Sequence, residues 1–207
     1  NSLKITNYPN ITRKGKLCMA QYFYEEKNDI WVTTWNKLYN LSFLREFHIH
    51  FLEHVYHEDI VMHAMLALNT RSFSLTNRTT YLYNCKREDS ITNIEQGYTL
   101  KHLNDLTIVF SEIRRLMQAD NNLSKHLQKE INLYYLFEIY HRYLPAMYSN
   151  IKRVDLIKGL ARLSQNCIPP ILETRLTFKS IKRFLFLKLP FSIQYLIKSH
   201  KYKKDKT

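Results

Sequence analysis

The chain has 207 residues, 45% hydrophobic and 14% aromatic, enough to bury a sizeable core and too apolar for a disordered segment. Its 31 Lys and Arg against 18 Asp and Glu give a formal net charge of +13, which favours polyanionic partners: nucleic acid, an anionic membrane surface or phosphorylated substrates. With only three glycines, the chain carries neither G-x-G-x-x-G nor G-x-x-x-x-G-K-[ST], so glycine-rich phosphate loops are excluded.

Cys18, Cys85 and Cys167 are far apart and odd in number, which reads as buried or free thiols in a reducing compartment. No apolar run reaches the ~18–20 residues that span a bilayer. The opening NSLKITNYPN has neither Met nor a secretory signal, as expected of a piece of a longer chain or a processed product.

In chain order, RKGKLCMAQYFYEEK (13–27) predicts a short helix with a partly apolar face, and the β-branched and aromatic IWVTTWNKLY (30–39) predicts a strand. SFLREF (42–47) predicts a short helix capped by Ser42. EDIVMHAMLAL (58–68) predicts a helix whose first-turn carboxylates complement the dipole. RSFSLTN and TTYLYNC predict a pair of strands around Asn77-Arg78, and KREDSITN (86–93) a loop. From Tyr98 the pattern turns helical: Leu103, Leu106, Phe110, Ile113 and Met117 form one stripe, broken by ADNN (119–122). A second, largely buried helix is expected from Leu123 to Leu144, ended by Pro145, and a third over 151–163 before CIPPI. The fold class is therefore α/β, with a short mixed α/β portion (1–95) followed by a mainly α-helical region (96–207).

Four of the nine histidines crowd into HIHFLEHVYHED (48–59), and His63 follows. His54 and His57 at i, i+3, with His50 at i−4, are the spacing a zinc site would use. H-E-x-x-H and H-x-x-E-H are both absent, and 47–56 alternates as an extended segment does. No metal site is expected from this chain, and His48, His50, His54 and His63 read as exposed or half-buried loop histidines. Glu58 and Asp59 read either as helix-capping charges or as catalytic carboxylates. Trp35 and Lys37 read either as a core indole and a surface cation, or as a face for a sugar ring and a charge for a phosphate or hydroxyl.

The order of these pieces resembles the acceptor-side half of bacterial family 2 glycosyltransferases with the GT-A fold. The residues carrying the resemblance are Trp35-Asn36-Lys37-Leu38-Tyr39, Phe43-Leu44, Glu58-Asp59, Tyr81-Leu82-Tyr83 and Ser90-Ile91-Thr92, within about residues 13–93. The resemblance implies a partial GT-A-like portion over 1–95. It implies inverting transfer of a sugar from a nucleotide-sugar donor to a saccharide or lipid-linked acceptor, in cell-surface polysaccharide biosynthesis. Asp59 would be the general base that takes the acceptor hydroxyl proton, with Glu58 beside it. Trp35, Lys37, Lys86 and Arg87 would bind substrate, the last two near the diphosphate leaving group. Asp89 stands where the family more often has Gly before Ser-Ile-Thr, which stiffens that loop.

The resemblance also implies a divalent metal, Mn or Mg, held by an Asp-x-Asp motif in the complete enzyme. This chain has no Asp-x-Asp and no nucleotide-binding βαβ half, so as a 207-residue piece it is expected to be inactive. The last segment, RLTFKSIKRFLFLKLPFSIQYLIKSHKYKKDKT, mixes cations with apolar residues and suits an anionic membrane interface. No nucleic-acid module is visible. The expected location is cytoplasmic, peripheral on the inner face of the cell membrane. The alternative is a non-enzymatic basic helical protein that binds membrane or nucleic acid, with Glu58-Asp59 serving only as a cap.

Overall fold

The computed structural model describes residues 8–28, 30–81 and 98–204. It is mostly helical with one small antiparallel sheet, a mixed α/β class. The chain divides into two compact units, Asn1–Ile94 and Glu95–Thr207.

The first unit begins with β1 (Ile11–Lys14), which pairs antiparallel with β2 (Ser72–Leu75) in the register Ile11 to Leu75 through Lys14 to Ser72. The helix predicted from residue 13 thus starts later, and β2 takes its partner from the N-terminal side. The expected second strand, TTYLYNC, has no strand through Tyr81 and otherwise lies outside the described residues. Gly15, at φ 125°, makes the turn out of β1, a backbone state that L side chains rarely adopt. Next comes α1 (Cys18–Ala20), which widens into a π-helical turn over Gln21–Glu25, where Glu26 N–H donates to the Gln21 carbonyl at 3.0 Å.

Residues 30–39 form an irregular loop instead of the predicted strand. The cause is local: side chains take up the backbone groups that a ladder would use. Trp31 N–H donates to the Tyr8 hydroxyl at 3.1 Å, Tyr39 Oη donates to the Thr34 carbonyl at 3.1 Å, and Lys37 Nζ donates to the carbonyls of Trp31 and Thr33. The helix α2 (Leu41–Glu46) is capped by Asn40, not Ser42; the Asn40 side chain accepts from Ser42 N–H at 2.9 Å and Phe43 N–H at 3.2 Å.

The core of this unit is α3 (Glu58–Asn69). Ile60 through Ala67 are all buried, so this helix is surrounded instead of amphipathic. It packs against α1, whose neighbourhood supplies buried Leu17, Met19, Tyr22 and Tyr24. Three residues of the connection into α3, His48, His54 and His57, hold left-handed backbone at φ 50°, 60° and 66°. Histidine is among the few non-glycine residues enriched there.

The second unit is a helical bundle: α4 (Leu100–Ala119), α5 (Lys125–Met147), α6 (Arg153–Asn166), α7 (Phe178–Lys188) and α8 (Phe191–Lys204). All five residues of the α4 stripe, Leu103, Leu106, Phe110, Ile113 and Met117, are buried. Thr99 caps α4 in a reciprocal pair with His102, and Ser124 caps α5. Pro145 does not end α5, which runs on to Met147; His141 and Pro145 both lie on the exposed side of the helix, where water can serve the His141 carbonyl that proline cannot. Gly159 lets α6 approach α4 closely, because a Cβ there would lie 2.4 Å from Leu103 Cδ2. The small cleft between α4 and α5, lined by Phe110, Asn132, Tyr135 and Cys167 among others, holds about 20 Å³, room for one water and not for a substrate. Cys18 and Cys167 are buried free thiols.

Candidate functional site

The site is built on the first turn of α3. His57 occupies the N-cap position without making a side-chain cap, and the first turn carries Glu58 and Asp59, whose charges complement the helix dipole. Both carboxylates are half-buried, neither lost in the core nor fully solvated. The α3 core behind them fixes the backbone that carries them.

Lys37 comes to this turn from the 30–39 loop. Besides the two loop carbonyls, its ammonium donates to Asn36 Oδ1 at 2.8 Å. Three acceptors match the three hydrogens of an ammonium. Lys37 thus organises its loop with its hydrogens and acts beyond it as a charge. Burial pulls its pKa down to about 8, and the Asp59 carboxylate opposes that shift. Close by, burial pushes the Tyr39 phenol up to about 12.

Trp35 is not a core indole. It is 36% exposed and stands in the middle of an aromatic series, between Trp31 and Tyr81. Its ring lies 5.8 Å from Trp31, edge to face, and 4.3 Å from Tyr81 at an interplanar angle of 32°. Tyr81 is itself 47% exposed, so the 30–39 loop and the segment after β2 meet here in an open aromatic surface. The role of Tyr81 was legible only as a motif position; its contact with Trp35 depends on the chain path between them.

His63 departs from the loop reading. It is 1% exposed, one turn beyond Asp59 on α3, with its ring 4.7 Å from Phe23. Among the described residues neither of its ring nitrogens has a hydrogen-bond partner. Burial, and after it the Lys37 charge, holds its pKa down at about 3, so the ring is neutral. Its place was signalled by the spacing in EDIVMHAMLAL, where position 63 falls within an unbroken apolar run. By contrast, His48, His50 and His54 are exposed, and His48 and His54 serve the backbone turns described above.

Lys86 and Arg87 lie outside the described residues, as do Leu82-Tyr83 and Ser90-Ile91-Thr92. Among the described residues no three His, Cys, Asp or Glu side chains converge on a point where a metal ion would be held. The site offers a carboxylate on a rigid helix start, a lysine charge in electrostatic reach of it, and an exposed aromatic face. Comparison with protein-family models, with curated proteins and with solved structures gave no match.

Proposed function

We propose that the chain is the acceptor-side portion, GT-A-like over residues 1–95, of an inverting glycosyltransferase. It would transfer a sugar from a nucleotide-sugar donor to a saccharide or lipid-linked acceptor, in cell-surface polysaccharide synthesis at the cytoplasmic membrane face. The observation that supports this reading is the 30–39 loop, which brings the Lys37 charge within electrostatic reach of Asp59 and, two residues away, sets Trp35 against Tyr81. Asp59 takes the proton of the attacking hydroxyl from its place on the first turn of α3. The C–H face of an acceptor ring rests on Trp35 and Tyr81. Glu58 hydrogen-bonds the acceptor, and the Lys37 charge lies in electrostatic reach of Asp59. Lys86 and Arg87 are assigned to the diphosphate by the resemblance alone.

The test uses the longest reading frame that contains this chain, incubated with nucleotide sugars while nucleoside diphosphate release is followed. Asp59→Asn should lower turnover by about 10²–10⁴ with unfolding unchanged. Full activity in that variant would leave Glu58 and Asp59 as capping charges of α3. The chain would then be a basic helical binding protein.

A further inference from the structure

We propose that the outer face of α7 and α8 is a docking surface for an anionic lipid bilayer. This rests on the second unit alone and stands or falls independently of the transferase reading.

The inner faces of both helices are fixed by buried polar bonds. Ser164 Oγ donates to the Leu187 carbonyl at 2.8 Å, tying α7 to α6. Gln194, 1% exposed, donates to the Phe186 carbonyl at 2.9 Å and accepts from Tyr143 Oη at 2.7 Å, tying α8 to both α7 and α5. The lead-in to α7 is held by Arg175, which pairs with the buried Glu130 at 2.9 Å. The helices have thus committed one side to the bundle, and what they leave outside is not a face still to be packed inward.

That outer side is strongly apolar. Phe178 is 82% exposed, Ile181 42% and Leu185 58%, at spacings of three and four residues. At about 100° per residue they fall within roughly 60° of one another on the helix. Lys182, with Lys179 beyond it, borders one flank of this strip, and Lys188 borders the other while also donating to the Ser164 carbonyl at 3.1 Å. On α8, Ile193, Leu196 and Ile197 form a second exposed strip at i, i+3, i+4.

Charge selects the occupant. Between Thr174 and Lys204 there are nine Lys and Arg and no Asp or Glu; Arg175, Arg183 and Lys198 turn to Glu130, Phe137 and Tyr140, while Lys179, Lys182 and Lys188 stay along the strip. An apolar strip edged by lysines whose stems can extend past it matches the boundary between acyl chains and anionic headgroups. A protein groove would not need cations of one sign along so much of its border, and nucleic acid would leave the apolar strips unused. Among the described residues no helix is long and apolar enough to cross a membrane, so the docking is interfacial.

The experiment is co-sedimentation of the full chain with phosphatidylcholine vesicles, with and without phosphatidylglycerol. Binding is expected to the anionic vesicles and at most weakly to the neutral ones. Lys179→Gln with Lys182→Gln should weaken it about fivefold per lysine. Phe178→Ser, Ile181→Ser and Leu185→Ser together should weaken it at least tenfold; all three are exposed, so circular dichroism should match the parent. Equal binding to both vesicle types, or anionic binding that survives the serine variant, overturns the proposal. So does sedimentation as a dimer that the serine variant disrupts, since a second copy would then be the occupant. Tight binding of a fluorescent RNA that removes the protein from vesicles and is indifferent to the serine variant overturns it as well.

Discussion

Replacing His63 by Leu should stabilise the first unit, and should do so more strongly in acid. At about pH 7 the ring is neutral, and two buried nitrogens without partners cost roughly 1–3 kcal/mol, which an apolar side chain of similar reach avoids. A gain of about 1–2 kcal/mol is expected. The folded pKa of about 3 lies below the ordinary 6.5, so the unfolded chain takes up the proton first. The contribution of neutral His63 is complete above about pH 6.5 and is lost as pH falls toward 3. At about pH 4.5 the parent should have lost roughly 2–3 kcal/mol that the variant keeps, at 1.36 kcal/mol per unit. Urea unfolding followed by tryptophan fluorescence isolates this unit, because both tryptophans of the chain, Trp31 and Trp35, belong to it. Parallel pH profiles, or a less stable variant at neutral pH, would refute the argument and mean that the His63 nitrogens are hydrogen-bonded in solution.

In the helical unit, Gly159→Ala should destabilise by about 1 kcal/mol, the propensity gain of about 1 kcal/mol being outweighed by overpacking against Leu103, which is 0% exposed. In a Leu103→Ala background the same substitution should stabilise, and thermal melts by circular dichroism that show no change of sign would dismiss the close approach of α4 and α6. At exposed His48, Val should cost about 1–2 kcal/mol because a β-branched residue resists left-handed backbone, whereas Gly should match or exceed the parent; urea midpoints read by tryptophan fluorescence decide it.

The sequence was most readable where one physical cause acts along a continuous stretch. The α4 stripe repeats every three or four residues because one face is buried. The first turn of α3 was equally plain, since Glu58 and Asp59 precede an apolar run. The 30–39 loop was not, because its β-branched and aromatic residues satisfy the period of a strand while Tyr8, Lys37 and Tyr39 take the backbone groups. Tyr8 is far away in sequence, and no local pattern announces it. The histidine crowding was legible in part. The loop reading agrees with the exposure of His48, His50 and His54 and fails for His63, which is buried in α3; that His48, His54 and His57 hold left-handed backbone required geometry. Within the site, Asp59, Lys37 and Trp35 were legible as residues; that Lys37 spends its hydrogens on its own loop required geometry.

The amide of Gln194 has a mechanical consequence. By joining α8 to both α7 and α5, with Ser164 holding the end of α7, it makes the bend at Leu189-Pro190 a fixed bracket instead of a hinge. A bracket cannot swivel. Whatever surface it rests on would set the tilt of the whole helical unit, so that landing on a bilayer would fix an orientation as well as a location.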